Sequence, residues 1–197
     1  MVSKFFKQYR WIILASVCVL VITGLVEHSM GRLTWGPDGH FGLYSADVWS
    51  SEQSQRVVDP YSPSHFIHGL LFYALLWLVA RRVPLRYRFV MALALEAAWE
   101  ILENSPIIIN RYRAVTISLG YEGDSILNSL SDIVFVGLGF WFAFKQRVRT
   151  TVATIVVLEL ATLWWVRDNL TLNIIMLIHP LDAIRNWQSM LAPPPTL

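Results

Sequence analysis

Residues 65–82 read HFIHGLLFYALLWLVARR, and this segment is the clearest indication of the fold class. The run from His65 to Ala80 contains no acidic residue, lysine or arginine, and two arginines follow it directly. An apolar run that ends in basic residues is typical of a transmembrane helix whose last turn meets the cytoplasmic surface. The stretch therefore predicts a helix that crosses a membrane.

The composition of the whole chain extends this prediction to the rest of the molecule. Apolar residues make up 55% of the 197 residues and charged residues only 15%. A soluble domain carries about a quarter charged residues, which cover its surface. The formal net charge of +2 gives no reason to expect a nucleic-acid partner. A single cysteine, Cys18, excludes an intramolecular disulfide and a metal site built on paired cysteines.

Five apolar runs predict an all-α, polytopic membrane helix bundle that forms a single domain over residues 1–190. The five spans are predicted at residues 11–28, 65–80, 87–104, 125–144 and 151–167. Several runs fall short of the roughly 20 residues that a helix needs to cross the bilayer, so flanking polar residues are expected near the interface.

The segments between and after the spans have their own predictions. Residues 29–64 form a long outer loop. Residues 170–178 are too short to span and precede Pro180, so they are expected to form an interfacial or re-entrant helix. The proline-rich residues 191–197 predict a disordered tail.

The first run has a second interpretation as a cleaved signal peptide. Lys4, Lys7 and Arg10 precede an apolar middle, as in a secretory signal. The residues that follow, Leu25-Val26-Glu27-His28, contain no pattern of small residues suited to cleavage. We therefore expect the first run to be retained as a membrane span.

The distribution of basic residues predicts the orientation. Ten of the sixteen lysines and arginines lie in three short segments, residues 4–10, 81–88 and 145–149, which precede the first span or join the second to the third and the fourth to the fifth. Short basic segments stay in the cytoplasm, so the N-terminus and both connectors are predicted inside and the C-terminus outside. None of the fourteen acidic residues falls in those three inner segments. The acidic side chains therefore gather on the outer side or within the spans.

The third span carries three glutamates on one stripe. At roughly 100° per residue, Glu96, Glu100 and Glu103 fall within an arc of about 60°. The predicted direction of the span places this stripe in its outer half. Three ionised carboxylates so close together would repel each other, so a cation, a bound proton or facing donors must offset the repulsion.

The second span opens with a pair of histidines. His65 and His68 lie three residues apart and share one face of a helix. Ser62 followed by Pro63 predicts an N-cap and a first helical residue. Gly69, directly after the pair, predicts close approach of a neighbouring helix.

The fourth span opens with a polar stripe of its own. Asp124, Asn128 and Asp132 follow each other at intervals of four, and Asp124 could also cap the helix. Gly137 and Gly139 lie deeper in the span and predict close helix packing.

The three stripes reach the same depth and predict one site on the outer side of the bundle. Histidines with carboxylates suit a divalent metal such as Zn, Mn or Fe, which could activate water for hydrolysis. The candidate metal ligands are His65, His68, Glu103 and Asp124. The candidate catalytic groups are Glu96, Glu100, Asn128 and Asp132, of which Glu96, Asn128 and Asp132 are expected to support the ligands.

Other interpretations of these residues stay open. Without a metal, a histidine and a carboxylate could still perform acid–base chemistry on a lipid headgroup. Polar residues within spans often only hydrogen-bond helices together. No local metal-binding motif is present, because the ligands would come from separate helices. Glu159, isolated in the fifth span, is interpreted either as a partner of a facing donor or as part of the site.

Two functional classes follow from the predicted site. The first is a membrane-embedded hydrolase or transferase that acts on a lipid or a lipid-linked envelope substrate, with membrane lipids as partners. The second is a non-catalytic protein that binds a headgroup, an ion or a partner. A transporter is disfavoured, since the five short spans show no internal repeat and no pair of broken helices.

The chain resembles an uncharacterised family of small bacterial inner-membrane proteins, a domain of unknown function, over nearly its whole length. The resembling segments are residues 51–55, 61–69, 96–113, 123–132 and 167–188, including RDNLTLNIIMLI at 167–178. The resemblance implies a location in the bacterial inner membrane. The family pattern has cysteines before the Ser-Glu-x-Ser-Gln stretch, whereas residues 34–44 contain none, which puts any role of those cysteines in doubt for this chain.

A looser resemblance is to VanZ-like membrane proteins. It consists of an aspartate and a histidine opening one span, a glutamate in the next, and an Asp/Asn pair opening another. The resemblance implies a cell-envelope setting and a link to antibiotic tolerance, and it supplies no reaction.

Overall fold

The chain folds into eight α-helices within residues 2–118 and 120–190, which are the residues that the computed structural model describes. The helices are α1 (Val2–Ser29), α2 (Ser62–Val79), α3 (Leu85–Glu103), α4 (Pro106–Val115), α5 (Ile126–Lys145), α6 (Val148–Val166), α7 (Leu170–Ile178) and α8 (Asp182–Ser189). This architecture confirms the predicted all-α fold. The predicted disordered tail, residues 191–197, lies outside the described residues.

Four of these helices are long and apolar enough to cross a membrane. They are α2, α5, α6 and residues Tyr9–Ser29 of α1. The chain is therefore a multi-pass membrane protein. Helix α3 is as long, with 19 residues, but two arginines and three glutamates make it too polar to qualify by composition. It packs against α1, α2 and α5, so a fifth crossing by α3 stays a prediction.

The centre of the bundle is a close crossing of α2 and α5. A Cβ atom added to Gly69 would overlap the backbone of Val136 and Phe140, and one added to Gly139 would overlap the carbonyl of Phe66. Only glycine at both positions lets the two backbones approach this closely. The close packing predicted at these two glycines is confirmed.

The N-terminal ends of α2 and α5 lie together with the C-terminal end of α3. The side-chain amide of Asn128 in α5 donates a hydrogen bond of 2.8 Å to the carbonyl of Arg56, just before α2. Glu96 of α3 contacts His65 in the first turn of α2. Farther along the bundle, the same helices enclose an apolar core of Leu76, Ala92, Val136 and Phe140. The polar ends of three helices therefore meet at one end of the bundle.

The starts of α2 and α5 differ from the predicted caps. Ser62 is the first residue of α2 and not its N-cap; the cap position is Tyr61, whose side chain makes no capping bond. The carboxylate of Asp59 caps the helix instead, because its Oδ1 accepts a hydrogen bond of 2.9 Å from the backbone N–H of Ser62. The N-cap of α5 is Ser125, which accepts a bond of 3.2 Å from a first-turn N–H, and not Asp124.

Helix α7 coincides with the segment predicted to be an interfacial or re-entrant helix. Its first N–H groups are bound by Glu159 of α6, whose two oxygens accept hydrogen bonds from Leu170 at 3.1 Å and Thr171 at 3.2 Å. Of the two interpretations of Glu159, the structural one is therefore correct. Helices α4 and α8, in contrast, were not predicted, since both are short, with 10 and 8 residues.

Candidate functional site

Two histidines of α2 share one glutamate of α3. His65 Nδ1 lies 2.6 Å from Glu96 Oε1, and His68 Nδ1 lies 3.0 Å from the same oxygen. The two imidazole rings meet edge to face, with their centroids 5.4 Å apart. Because both rings turn Nδ1 towards Glu96, both keep Nε2 available for another partner. A carboxylate in this position orients a metal-binding histidine in many metalloproteins.

Glu100, one turn after Glu96, has a different environment. It is 0% exposed, and neither of its carboxylate oxygens accepts a hydrogen bond from the described residues. Its Oε1 lies 3.4 Å from His65 Nδ1 without forming a hydrogen bond, since that nitrogen is engaged by Glu96. Asp132 of α5 is also buried, its Oδ1 accepts no hydrogen bond, and its Oδ2 lies 3.8 Å from His65 Nε2. These oxygens are buried without donors, which is costly for a charged group.

The acidic and histidine side chains form three overlapping groups, in each of which the ligand atoms lie within 4.8 Å of one another. The groups are His65 with His68 and Glu96, His65 with Glu100 and Asp132, and Glu100 with Glu103 and Asp124. The four predicted metal ligands are thus divided: the histidines lie at one end of the cluster, and Glu103 and Asp124 at the other. Glu100, predicted as a catalytic group, connects the two ends. Metal binding itself stays a prediction.

Asp124 is held by residues that the sequence did not single out. Its Oδ1 accepts a hydrogen bond of 2.9 Å from the Tyr121 hydroxyl, and its Oδ2 one of 3.3 Å from Asn104 Nδ2. Asn104 Oδ1 in turn accepts a bond of 2.7 Å from the backbone N–H of Asp124. Burial raises the pKa of Asp124 from 3.8 to about 6, although the hydrogen bond from Tyr121 lowers it. This aspartate can therefore gain or lose a proton near neutral pH.

Asn128 has a structural position. Besides the bond from its side chain to the carbonyl of Arg56, Asn128 donates its backbone N–H to the capping hydroxyl of Ser125, so it ties the loop before α2 to the start of α5. Its side chain nevertheless lines the same cavity as Asp124 and Asp132. The expected supporting role of Asn128 is consistent with this placement and remains a prediction.

A cavity of about 380 Å³ lies against the cluster. Its polar side is formed by His65, His68, Glu103, Asp124 and Asp132 together with three tyrosines, Tyr61, Tyr112 and Tyr121. Its apolar side is formed by Leu71, Phe72 and Trp99 of the bundle and by Leu170, Ile174 and Leu177 of α7. No lysine or arginine is found among the described residues of this lining. The cavity is therefore amphipathic, with an acidic end and an apolar wall.

A family model described as a protein of unknown function (DUF2585) matches residues 27–190. The chain belongs to this family. It is 51% identical over 186 residues to a UPF0314 protein of Rhizobium meliloti, with 93% of this chain and 94% of that protein covered. It is 50% identical over 184 residues to a UPF0314 protein of Sinorhizobium fredii, with 93% of both chains covered. A UPF0314 protein of Paracoccus denitrificans is 49% identical over 177 residues, covering 90% of this chain and 92% of the relative.

The family match confirms the predicted membership in a bacterial family of unknown function. No solved structure matches the chain. The match to the family includes every candidate site residue and excludes most of α1. The VanZ-like resemblance stays a prediction.

Sequence reasoning also missed two buried carboxylates of this family member. Glu27, near the end of α1, is fully buried, and its oxygens accept no hydrogen bond from the described part of the chain. Asp168, between α6 and α7, is buried but well supplied with donors, including Tyr61 and Gln188. Their burial had no signal in the sequence: Glu27 lies at the end of a span, where polar residues are common, and Asp168 in a polar connection.

Proposed function

We propose that this protein lies in the bacterial inner membrane with its acidic cluster towards the periplasm, and that it acts there as a metal-assisted hydrolase or transferase on a lipid or lipid-linked envelope substrate. The observation that carries the proposal is Glu100, a fully buried carboxylate that receives no hydrogen bond from the described part of the chain. A bound divalent cation would supply the positive charge that this group lacks. The basic segments at the opposite end of the bundle support the orientation.

The arrangement of the neighbouring side chains supports a cation at this point. His65 turns Nδ1 to Glu96 and Nε2 towards Asp132, whose nearer oxygen lies 3.8 Å away. A histidine nitrogen with two carboxylates is a ligand set that suits Zn, Mn or Fe. In this proposal His65, Glu100 and Asp132 bind the cation, and Glu96 orients the histidines.

The cavity supports a substrate that is part polar and part apolar. Leu71 and Ile174 line it and are also exposed on the outer surface of the bundle, where lipid chains would meet them. A lipid could therefore place its acyl chain along this wall and its headgroup against the acidic end. The cation would activate a water molecule or polarise the headgroup. His68, whose side chain is 17% exposed, would transfer the proton.

The proposal is tested with the full-length protein purified in lipid nanodiscs. Elemental analysis should find stoichiometric Zn, Mn or Fe in the wild type and at least ~100-fold weaker retention in Glu100→Gln. Glu122→Gln is the matched control, because Glu122 is an exposed carboxylate near Asp124 that belongs to none of the three groups. It should retain the metal fully.

Activity is tested in a deletion strain whose lipids and lipid-linked precursors are profiled. A species should accumulate in the deletion strain and disappear when the wild type or Glu122→Gln is restored, but not with Glu100→Gln. A protein that holds no metal, in a strain whose lipid profile does not depend on Glu100, would rule out the proposal.

The second candidate is a non-catalytic protein that binds a headgroup. It is favoured by the tyrosines and carboxylates that line the cavity without a lysine or arginine in the described lining, since such surfaces hold ammonium groups. In that case a lipid bearing an ammonium headgroup should bind the purified wild type more tightly than Glu103→Gln. No lipid species should then accumulate in the deletion strain.

A further inference from the structure

We infer that the site holds two divalent cations, with Glu100 as the bridge between them. The inference rests on the proposed function, because the first cation is the one bound by His65, Glu100 and Asp132. The second cation would lie between Glu100, Glu103 and Asp124. These three side chains offer only oxygen ligands, which suit a hard divalent cation such as Mn²⁺ or Mg²⁺.

Glu100 belongs to two of the three groups of possible metal ligands. It belongs to the group with His65 and Asp132 and also to the group with Glu103 and Asp124, and in each group the ligand atoms lie within 4.8 Å of one another. Both oxygens of Glu100 are buried and accept no hydrogen bond from the described residues, so each can bind a different cation.

Hydrogen-bond donors surround the group formed by Glu100, Glu103 and Asp124. Asp124 receives hydrogen bonds from Tyr121 at 2.9 Å and from Asn104 at 3.3 Å, and Tyr112 interacts with Glu103. Carboxylates that bind metals are commonly hydrogen-bonded in this way through their other lone pairs. The group still contains three carboxylates and no basic side chain. A single cation bound by His65, Glu100 and Asp132 would contact only one of these three carboxylates, Glu100. A second cation would contact all three.

Both proposed cation positions lie beside the cavity. Glu103 and Asp124 line the cavity beside the second position, and His65 and Asp132 line it beside the first. Two cations joined by one carboxylate lie about 3.5–4 Å apart and can bind two oxygens of the same phosphate group. Since no lysine or arginine lines the described cavity, the cations would be the groups that hold an anionic headgroup. The substrate class is therefore a phosphate ester of a lipid or lipid-linked molecule.

Mn²⁺ is the probe for the test, because it accepts both ligand sets and is visible by electron paramagnetic resonance. Metal-free, full-length protein in nanodiscs is titrated with Mn²⁺, and the bound ions are counted. The wild type and the exposed-carboxylate control Glu122→Gln should bind two ions per chain, with the spectrum of a spin-coupled pair. Asp124→Asn and Glu103→Gln should each bind one ion, with the spectrum of an isolated Mn²⁺.

The outcomes separate this inference from the proposed function. If the wild type binds one ion and Asp124→Asn still binds one, the second position does not exist and the proposed function stands. If Asp132→Asn and Asp124→Asn each keep two ions, the assigned ligands are wrong. A wild type that binds no Mn²⁺, Zn²⁺ or Fe²⁺ overturns both. Thermal denaturation followed by tryptophan fluorescence establishes which variants are folded, and Glu103→Gln decides the question if Asp124→Asn is not.

Discussion

Glu100 and Asp168 are both buried carboxylates, but they differ in the hydrogen-bond donors that surround them. Asp168 is 4% exposed, and its oxygens accept hydrogen bonds from Tyr61 at 3.1 Å and Gln188 at 3.0 Å. The side-chain amide of Asn173 and one backbone N–H add two more. Glu100 is 0% exposed and accepts no hydrogen bond from the described residues.

The difference shows which of the two carboxylates the chain itself satisfies. The donors to Asp168 come from the residue before α2, from α7 and from α8, so this aspartate joins three helices at the polar end of the bundle. A buried charge with several donors is a structural group. Glu100 has the same burial without that compensation, which is why we assign it to a ligand.

The largest expected effect is on Asp168. Asp168→Ala should lower the free energy of unfolding by about 4 kcal/mol, because it removes the buried acceptor of the donors on Tyr61, Asn173 and Gln188. Chemical denaturation in mixed micelles measures this change. Asp182→Ala, which removes an exposed aspartate at the start of α8, is the control and should change stability by less than about 0.5 kcal/mol. Equal effects of the two variants would show that Asp168 does not join the helices.

The second prediction concerns pH. Burial raises the pKa of Asp168 from 3.8 to about 6, against the effect of its hydrogen bonds. The folded protein therefore binds this proton more tightly than the unfolded chain does. The resulting contribution to stability is complete below pH 3.8 and is lost as the pH rises through 6.

The variant Asp168→Asn isolates this contribution. Between about pH 4 and pH 6 the stability of the wild type should fall relative to that of Asp168→Asn by up to about 3 kcal/mol. Asp124 has a pKa raised in the same direction, but both proteins contain it, so the difference reports on Asp168. Parallel curves of unfolding free energy against pH would contradict the prediction.

The smallest expected effect has the opposite sign and concerns Glu100. In metal-free protein, Glu100→Gln should raise the free energy of unfolding by about 1 kcal/mol, because a neutral amide of the same shape replaces a buried group without donors. Thermal denaturation in excess chelator measures this, with Glu122→Gln expected to leave the midpoint unchanged. A loss of more than about 2 kcal/mol would mean that Glu100, like Asp168, is a structural group.

The spans and their polar ends were largely predictable, because membrane helices carry their signals locally. An apolar run sets the length of a span, and helical periodicity places Glu96, Glu100 and Glu103 on one stripe before any fold is known. The helix at 170–178 was predictable for the same reason. Helices α4 and α8 were not, since a short helix owes its stability to what it packs against.

The caps show the limit of local reasoning. Ser62 and Asp124 each fit a capping pattern, yet Asp59 and Ser125 bind the first N–H groups. Asp124 is turned away from α5 because Tyr121 and Asn104 hold it. Asn104 lies twenty residues before Asp124, so its part in this choice is contained in no local pattern.

That this is a multi-pass helical membrane protein, and which side chains share a helical face, could be read from the chain alone, because both follow from spacing along one helix. How those faces combine became clear from the packing of the helices. It divided the predicted metal ligands among three overlapping groups, placed Glu100 in two of them, and supplied donors to Asp168 but, within the described residues, none to Glu100. These outcomes depend on where different helices cross, and that is set by contacts such as Gly69 against α5, which form only when the whole bundle packs.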